Sequence, residues 1–203
     1  MIVITCAFTL AFNATQSEEP DEMLPIGAKA PLLDDPVKDV SGQILTMGEV
    51  AEENGLLVVF SCNTCPWVAA WEDRYNPIAE LARKNNIGVI FLNPNTSTRN
   101  RGDGFKDMQQ RAEKSGYNFY YAIDKNSKIA TAFGATRTPH AYLFNGDIEL
   151  VYRGGIDDNA RAKTPEDIKK PNLKNAIKTM SAGQEIAVKT MASPGCGIKW
   201  PEG

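Results

Sequence analysis

The sequence has little of what marks several large functional classes. Its four cysteines in 203 residues are too few for a scaffold held together by disulfides. The net charge is −3 and the Lys and Arg residues are scattered, which excludes the basic surface that a nucleic-acid partner requires. The apolar run at residues 1–12 is too short to cross a bilayer as a helix. We therefore expect no nucleic-acid partner, no membrane span and, from the length, one domain with extensions.

The N-terminal segment is similar to a secretory signal. An apolar run at residues 1–12 precedes a polar, acidic stretch at residues 13–22, as in a signal core followed by a linker. No Lys or Arg precedes the run, and Ala14 is the best candidate for a cleavage site. We predict a signal segment and flexible linker at residues 1–23 and an exported, periplasmic protein that has lost Cys6. The alternative is a hydrophobic N-terminus tucked against a cytoplasmic protein.

Two cysteines lie at a predicted strand-to-helix turn. An apolar, β-prone run at residues 55–59 precedes Cys62-Asn63-Thr64-Cys65, and Pro66 suits the first turn of the helix that follows. The free N–H groups and the dipole of a helix N-terminus favour a thiolate, so we expect a lowered pKa at Cys62. Cys-x-x-Cys spacing also lets the two sulfurs form a disulfide. The pattern predicts a dithiol/disulfide exchange centre; half of a zinc site or a purely structural bridge is the alternative.

The order of elements predicts an α/β fold. Apolar strands at residues 55–59 and 87–92 are separated by a long helix with Pro77 inside it, where a kink is expected. A helix at residues 104–114 follows, and strands on both sides of Asn145-Gly146 form a predicted hairpin. Strand and helix alternation at this spacing indicates right-handed βαβ crossovers. Beyond Asp158 we expect an extension with one helix, at residues 171–180.

Several motifs together resemble the thioredoxin-like superfamily, and more closely its peroxiredoxin-like, redoxin-domain (AhpC/TSA-type) group. They are Gly27-x-x-Ala30-Pro31, Cys62-Asn63-Thr64-Cys65-Pro66, Thr138-Pro139 before a hairpin, the run at 152–158, and Gly195-Cys196-Gly197-Ile198-Lys199-Trp200. The resemblance covers residues 24–200. It implies a single thioredoxin-like domain at residues 24–203, with a mixed sheet flanked by helices, an N-terminal β extension and a C-terminal helix plus tail. It further implies a redox centre at Cys62 and Cys65 and a cis peptide at Thr138-Pro139 that presents its backbone to an extended substrate.

Departures from the better-known relatives narrow the function. Thioredoxins have Trp where Ser61 stands and a buried acid where Leu56 stands. True peroxiredoxins use Pro-x-x-x-Thr-x-x-Cys, but counting back from Cys65 gives Cys62 in place of Thr and Val58 in place of Pro. The peroxidase motif is therefore absent.

Three further residues are candidates for the site. Trp67, just after the turn, either covers the disulfide or offers a surface to a partner. Cys196, in a turn-forming Pro-Gly-Cys-Gly context, is either a third redox cysteine that resolves an oxidised Cys62 or a free thiol in a folded-back tail. His140, the one histidine, either points to solvent or joins Cys62 and Cys65 in a copper or zinc site.

We therefore predict a thiol-disulfide oxidoreductase that uses Cys62 and Cys65, with Thr138 and Pro139 positioning the partner. Its partners are expected to be protein disulfides or thiols, or a small-thiol reductant, and no bound cofactor is expected. A metal-binding chaperone using Cys62, Cys65 and His140 is the alternative of another class. A weak thiol peroxidase of the redoxin type is a second alternative.

Overall fold

The structure, a computed structural model, describes residues 22–202. The predicted signal segment falls almost entirely before this range, and it lies, with Cys6, outside the described residues. The strands are β1 (Val37–Asp39), β2 (Ile44–Leu45), β3 (Leu56–Phe60), β4 (Gly88–Asn93), β5 (Tyr120–Ile123), β6 (Arg137–Thr138), β7 (His140–Phe144), β8 (Leu150–Gly154) and β9 (Cys196–Gly197). The α-helices are α1 (Met47–Val50), α2 (Pro66–Trp71), α3 (Tyr75–Arg83), α4 (Phe105–Ser115), α5 (Lys128–Phe133) and α6 (Asn172–Ser181).

A mixed seven-stranded sheet carries the fold. Its strand order is β2-β1-β5-β4-β3-β7-β8, in which β3 runs parallel to β4 and antiparallel to β7. Every residue of β3 and β4 is buried, as expected for apolar strands that are covered on both faces. The α/β architecture and the hairpin of β7 and β8 are confirmed.

The two faces of β3 pack into different cores. Leu57 and Val59 contact the apolar sides of α2, α3 and α6, whereas Leu56, Val58 and Phe60 pack with α1 and α5. This alternation follows from the two-residue period of a strand. The end of β3 is thereby fixed between two layers of helices, and so is the cysteine turn that follows it.

The predicted kink at Pro77 is wrong in its position. The helical segment breaks earlier, where a 3-10 turn at Glu72–Arg74 separates α2 from α3. Pro77 is the third residue of α3, within the first turn, where a missing N–H costs no intrahelical hydrogen bond. The break upstream lets the proline begin a new helix rather than bend an old one.

The C-terminal tail folds back over the sheet. After α6 the chain returns along β8, with an isolated bridge between Arg153 and Thr190, and β9 then pairs with β6. Ile198 is buried and Trp200 packs on the core that contains Phe60. Among residues 22–202, no helix has both the length and the apolar character needed to cross a membrane.

Candidate active site

The cysteine turn joins the central strand β3 to α2. Cys65 is the N-cap of α2 and Pro66 is its first residue, as the sequence predicts. Cys62 and Cys65 are 2% and 3% exposed, so both sulfurs lie beneath the molecular surface. The turn faces the Thr138–Pro139 peptide bond, which is cis as the resemblance implied.

Cys62 is a free, buried thiol. Its Sγ lies 3.2 Å from Oγ1 of Thr138, and the backbone amides of Thr64 and Cys65 also donate to it. Burial raises the pKa of Cys62, the Thr138 hydroxyl opposes this, and the negative charge of Asp103 adds to the rise. The lowered pKa expected from the sequence is therefore wrong for this state, because desolvation outweighs the donors of the turn.

Cys65 forms a disulfide with Cys196, across a Cα–Cα distance of 5.9 Å. Their pairing is supported by backbone: β9 runs antiparallel to β6, with Cys196 opposite Thr138. The Cys65 Sγ also lies 3.3 Å from the carbonyl oxygen of Thr138. The sequence predicted exchange between Cys62 and Cys65 and offered Cys196 as a partner for Cys62, but in this structure Cys196 pairs with Cys65 and Cys62 remains a thiol.

Glycine allows the tail to approach this closely. A Cβ on Gly195 would lie 2.5 Å from the Thr138 carbonyl oxygen, closer than real Cβ atoms come. Arg137 donates from Nη1 to the Gly195 carbonyl at 3.1 Å, and Ser193 Oγ donates to the Pro139 carbonyl. The tail is thus held against the cis-proline loop on both sides of Cys196.

Trp67 is 40% exposed beside the turn. It stacks on Trp71 with ring centroids 5.8 Å apart. Trp71 is in turn buried and donates from Nε1 to Asp157 at 2.7 Å. The stacking orients Trp67 while leaving part of its surface open.

A buried carboxylate that the sequence analysis missed holds the cysteine turn. Asp103 accepts hydrogen bonds from the Asn63 amide at 2.7 Å and from Thr64 Oγ1 at 2.8 Å, so both residues between the cysteines are tied to one side chain. It also accepts from Asn93, Asn95 and Thr98. The sequence offered only a polar loop between residues 93 and 103, and the 40-residue separation of Asp103 from Asn63 left no local signal.

A second group that the sequence analysis missed is Arg99, a half-buried residue whose charge lies near Cys62. Its guanidinium donates to the carbonyl oxygens of Asn93, Asp103 and Asp124. These hydrogen bonds connect the Arg99 side chain to three separate loop segments. No hydrogen bond joins it to Cys62.

His140 is buried, so the predicted solvent-facing position is wrong. It is the first residue of β7, opposite Phe60, and 5% exposed, so it does not point to solvent. Burial, and then the charges of Arg153 and Arg137, lower the pKa of His140 to about 4. Within residues 22–202 no group of three or more His, Cys, Asp or Glu side chains is arranged to hold a metal ion, so the predicted set of Cys62, Cys65 and His140 gains no support.

Comparison with known proteins places this chain in a family. The AhpC/TSA family matches residues 26–153, and the chain belongs to it. The fold is thioredoxin-like, and members of this redoxin family act on thiols and disulfides. No curated protein matches the sequence significantly.

Solved structures share the fold over most of the chain. A hypothetical protein from Sinorhizobium meliloti 1021 is 26% identical with a TM-score of 0.80, covering 90% of this chain and 98% of its own. An uncharacterized conserved protein from Geobacillus kaustophilus is 28% identical with a TM-score of 0.80, covering 89% and 95%. A secreted Mycobacterium tuberculosis disulfide oxidoreductase, homologous to E. coli DsbE, is 13% identical with a TM-score of 0.54, covering 72% and 96%, a likeness of fold alone.

Proposed function

We propose that the protein is a thiol-disulfide oxidoreductase in which Cys62 and Cys65 exchange a dithiol and a disulfide with protein or small-thiol partners. The observation that carries the proposal is the convergence of three sulfurs on Thr138. The Cys62 thiol contacts its hydroxyl, the Cys65 sulfur contacts its carbonyl, and Cys196 is its β-sheet partner. A purely structural bridge would not need a free thiol at its side.

Cys196 acts as the third redox cysteine, through Cys65. The Cys62 thiolate attacks the Cys65 sulfur, the Cys65–Cys196 bond breaks, and a Cys62–Cys65 disulfide forms while Cys196 leaves as a thiolate. The proton lost by Cys62 is taken up by Cys196, so the step is an isomerisation without net oxidation. Exchange of the new disulfide with a partner then begins by attack on Cys62, and Cys65 resolves the mixed disulfide.

Burial sets the order of these events. Cys62 is 2% exposed while the tail lies over the turn, so a partner reaches it only after β9 leaves β6. Breaking the Cys65–Cys196 bond removes the covalent restraint on that movement. The edge of β6 and the exposed face of Trp67 are then available to an extended peptide.

Cysteine variants test the proposal. Cys62→Ser should reduce catalysed disulfide exchange to the uncatalysed background, and Cys65→Ser should accumulate mixed disulfides between Cys62 and partner thiols. Non-reducing mass mapping of the trapped species is the measurement. Retained exchange in Cys62→Ser would end the proposal, and the absence of any trapped partner in Cys65→Ser would contradict the resolving role.

A thiol peroxidase is the second candidate, favoured by membership of the AhpC/TSA family. The site argues against it, because Cys62 stands where a peroxiredoxin has its threonine and Arg99 is engaged with backbone carbonyls. We expect no peroxide consumption above that of Cys62→Ser in the presence of a thiol reductant. Consumption lost in Cys65→Ser would instead establish a peroxidatic cysteine at 65.

We also propose that the protein is exported. The apolar run followed by an acidic linker at residues 1–23 supports this. Fractionation of cells that express the full chain, with N-terminal sequencing of the product, is the test. An intact N-terminus in the cytoplasmic fraction would overturn it.

A further inference from the structure

A cavity of about 590 Å³ lies beside the Thr138–Pro139 loop. One wall is formed by His140 of β7 and Arg153 of β8 in the seven-stranded sheet, with Arg137 of β6 beside them, and the other is the tail segment at residues 190–194. Of the described residues that line it, none is acidic. The cavity is therefore a concave site with an excess of positive charge.

Two polar atoms at this cavity are buried without a hydrogen-bond partner. They are Nδ1 of His140 and Nη1 of Arg153. Arg153 stands opposite Tyr142 in the β7–β8 pairing, and His140 precedes Tyr142 by two residues, so the three side chains share one face of the sheet. Buried polar groups in native proteins are nearly always paired, so two unpaired ones at a single cavity make it a candidate binding site for a polar ligand.

The charges point to the sign of that ligand. Burial and the positive charges of Arg153 and Arg137 hold the pKa of His140 near 4, so the ring is neutral at pH 7 and able to donate one N–H. Arg137 uses Nη1 on the Gly195 carbonyl, and Arg153 forms no ion pair among residues 22–202. A half-buried guanidinium without an ion pair, whose Nη1 atom is buried, favours a ligand with negatively charged oxygens.

We propose that this cavity binds a small oxyanion, a carboxylate or phosphate group, held by Arg153 and His140 with Arg137 at its edge. The ligand oxygens accept from Nη1 of Arg153 and from Nδ1 of His140. Because the tail forms the opposite wall, a bound anion also stabilises the tail against the sheet. The inference does not rest on the proposed function, but the Cys65–Cys196 disulfide restrains the tail that forms this wall, so the test uses the oxidised protein.

The test uses the full-length oxidised protein and two probes, inorganic phosphate and acetate, each titrated against chloride at matched ionic strength. His140 is the only histidine of the sequence, so its imidazole NMR signals report on the cavity without assignment of others. We expect a saturable shift of these signals and a rise of a few degrees in the melting temperature with at least one probe. A response to only one probe identifies the oxyanion as a carboxylate or a phosphate.

Arg153→Gln is the diagnostic variant and should lose both responses. Arg161→Gln, which makes the same change of charge at an exposed residue, is the matched control and should keep them. If Arg153→Gln does not fold, Arg153→Lys is used instead, because it retains the positive charge but replaces the planar guanidinium with an ammonium group. It should weaken the NMR and melting-temperature responses at least several-fold. An equal effect of chloride, or an unchanged response in the folded Arg153 variant, would overturn the proposal.

Discussion

Replacing Asp103 by asparagine perturbs the cysteine turn without changing the size of the side chain. Asp103 is fully buried, and its two oxygens receive five hydrogen bonds from side chains and backbone. Four of these come from Asn63, Asn93, Asn95 and Thr64, and the fifth comes from Thr98. The substitution turns one acceptor oxygen into a donor that faces other donors.

The expected loss of stability follows from those contacts. The Oδ1 atom faces two N–H donors that cannot accept, whereas Oδ2 faces two hydroxyls that can reverse and one amide that cannot. The amide nitrogen of the variant therefore takes the Oδ2 position and leaves Asn95 Nδ2 unpaired. One buried unpaired donor, together with the lost charge assistance, predicts a decrease of about 2–4 kcal/mol in the free energy of unfolding.

The same variant should lower the pKa of Cys62. The Asp103 charge raises that pKa, so removing the charge stabilises the thiolate while the fold is weakened. Denaturant unfolding measures the first effect, and the pH dependence of alkylation at Cys62, followed by peptide mass, measures the second. A stability loss together with a lowered Cys62 pKa indicates that Asp103 positions the turn and acts through its charge. General damage to the fold would lower stability and expose the Cys62 thiol without a defined shift of its pKa.

Asp147→Asn is the control for this experiment, because the substitution makes the same change of charge at a residue that is exposed on the β7–β8 turn. It should leave both quantities unchanged. A loss of less than about 1 kcal/mol in Asp103→Asn, below the cost of one buried unpaired donor, would refute the reasoning. A rise in the Cys62 pKa would refute the electrostatic part of it.

The contribution of Asp103 to the free energy of unfolding depends on pH, and the sign of that dependence follows from its pKa. Hydrogen bonds lower the pKa of Asp103 despite its burial, so the folded protein favours the carboxylate. Its stabilisation is fully present above the unfolded pKa of about 4 and is lost as the pH falls through the lower folded value. Asp103→Asn should therefore show a smaller loss of stability on acidification than the wild type in that range.

The remaining predictions concern the tail and the lone histidine. Gly195→Ala places a Cβ against the Thr138 carbonyl and should slow formation of the Cys65–Cys196 disulfide, followed by non-reducing mass mapping. Gly197→Ala has open space around its Cβ and should not slow it. Equal rates in the two variants would contradict the close approach of the tail at Gly195. His140 has a folded pKa of about 4 against about 6.5 unfolded, so its stabilisation is present above pH 6.5 and lost as the pH falls to 4. In chloride buffer the difference in unfolding free energy between wild type and His140→Gln should change by about 3 kcal/mol over that interval, and a constant difference would show that His140 titrates normally.

Local patterns in the sequence were sufficient for the elements around the turn. The apolar run of β3, the proline at the start of α2 and the Asn-Gly hairpin were all predicted from short stretches of residues, whereas the cis Thr138–Pro139 bond was implied by the family resemblance. They are predictable because strand period, helix-start chemistry and turn geometry act within a few residues. The Pro77 prediction failed for the same reason, since one proline signals a helix break without saying on which side the break falls.

The sequence by itself thus determined the fold class, the position of Cys62 and Cys65 at a strand-to-helix turn, and the loop that faces them. Tertiary structure alone decided the pairing of Cys65 with Cys196 across 131 residues, the hold of Asp103 on the turn, and the raised pKa of Cys62. The physical reason is that a disulfide partner, a buried hydrogen bond and a desolvation cost depend on which distant segments share a volume. Composition and spacing along the chain do not specify that volume; the packing of the tail and the loop at residues 93–103 against the sheet does.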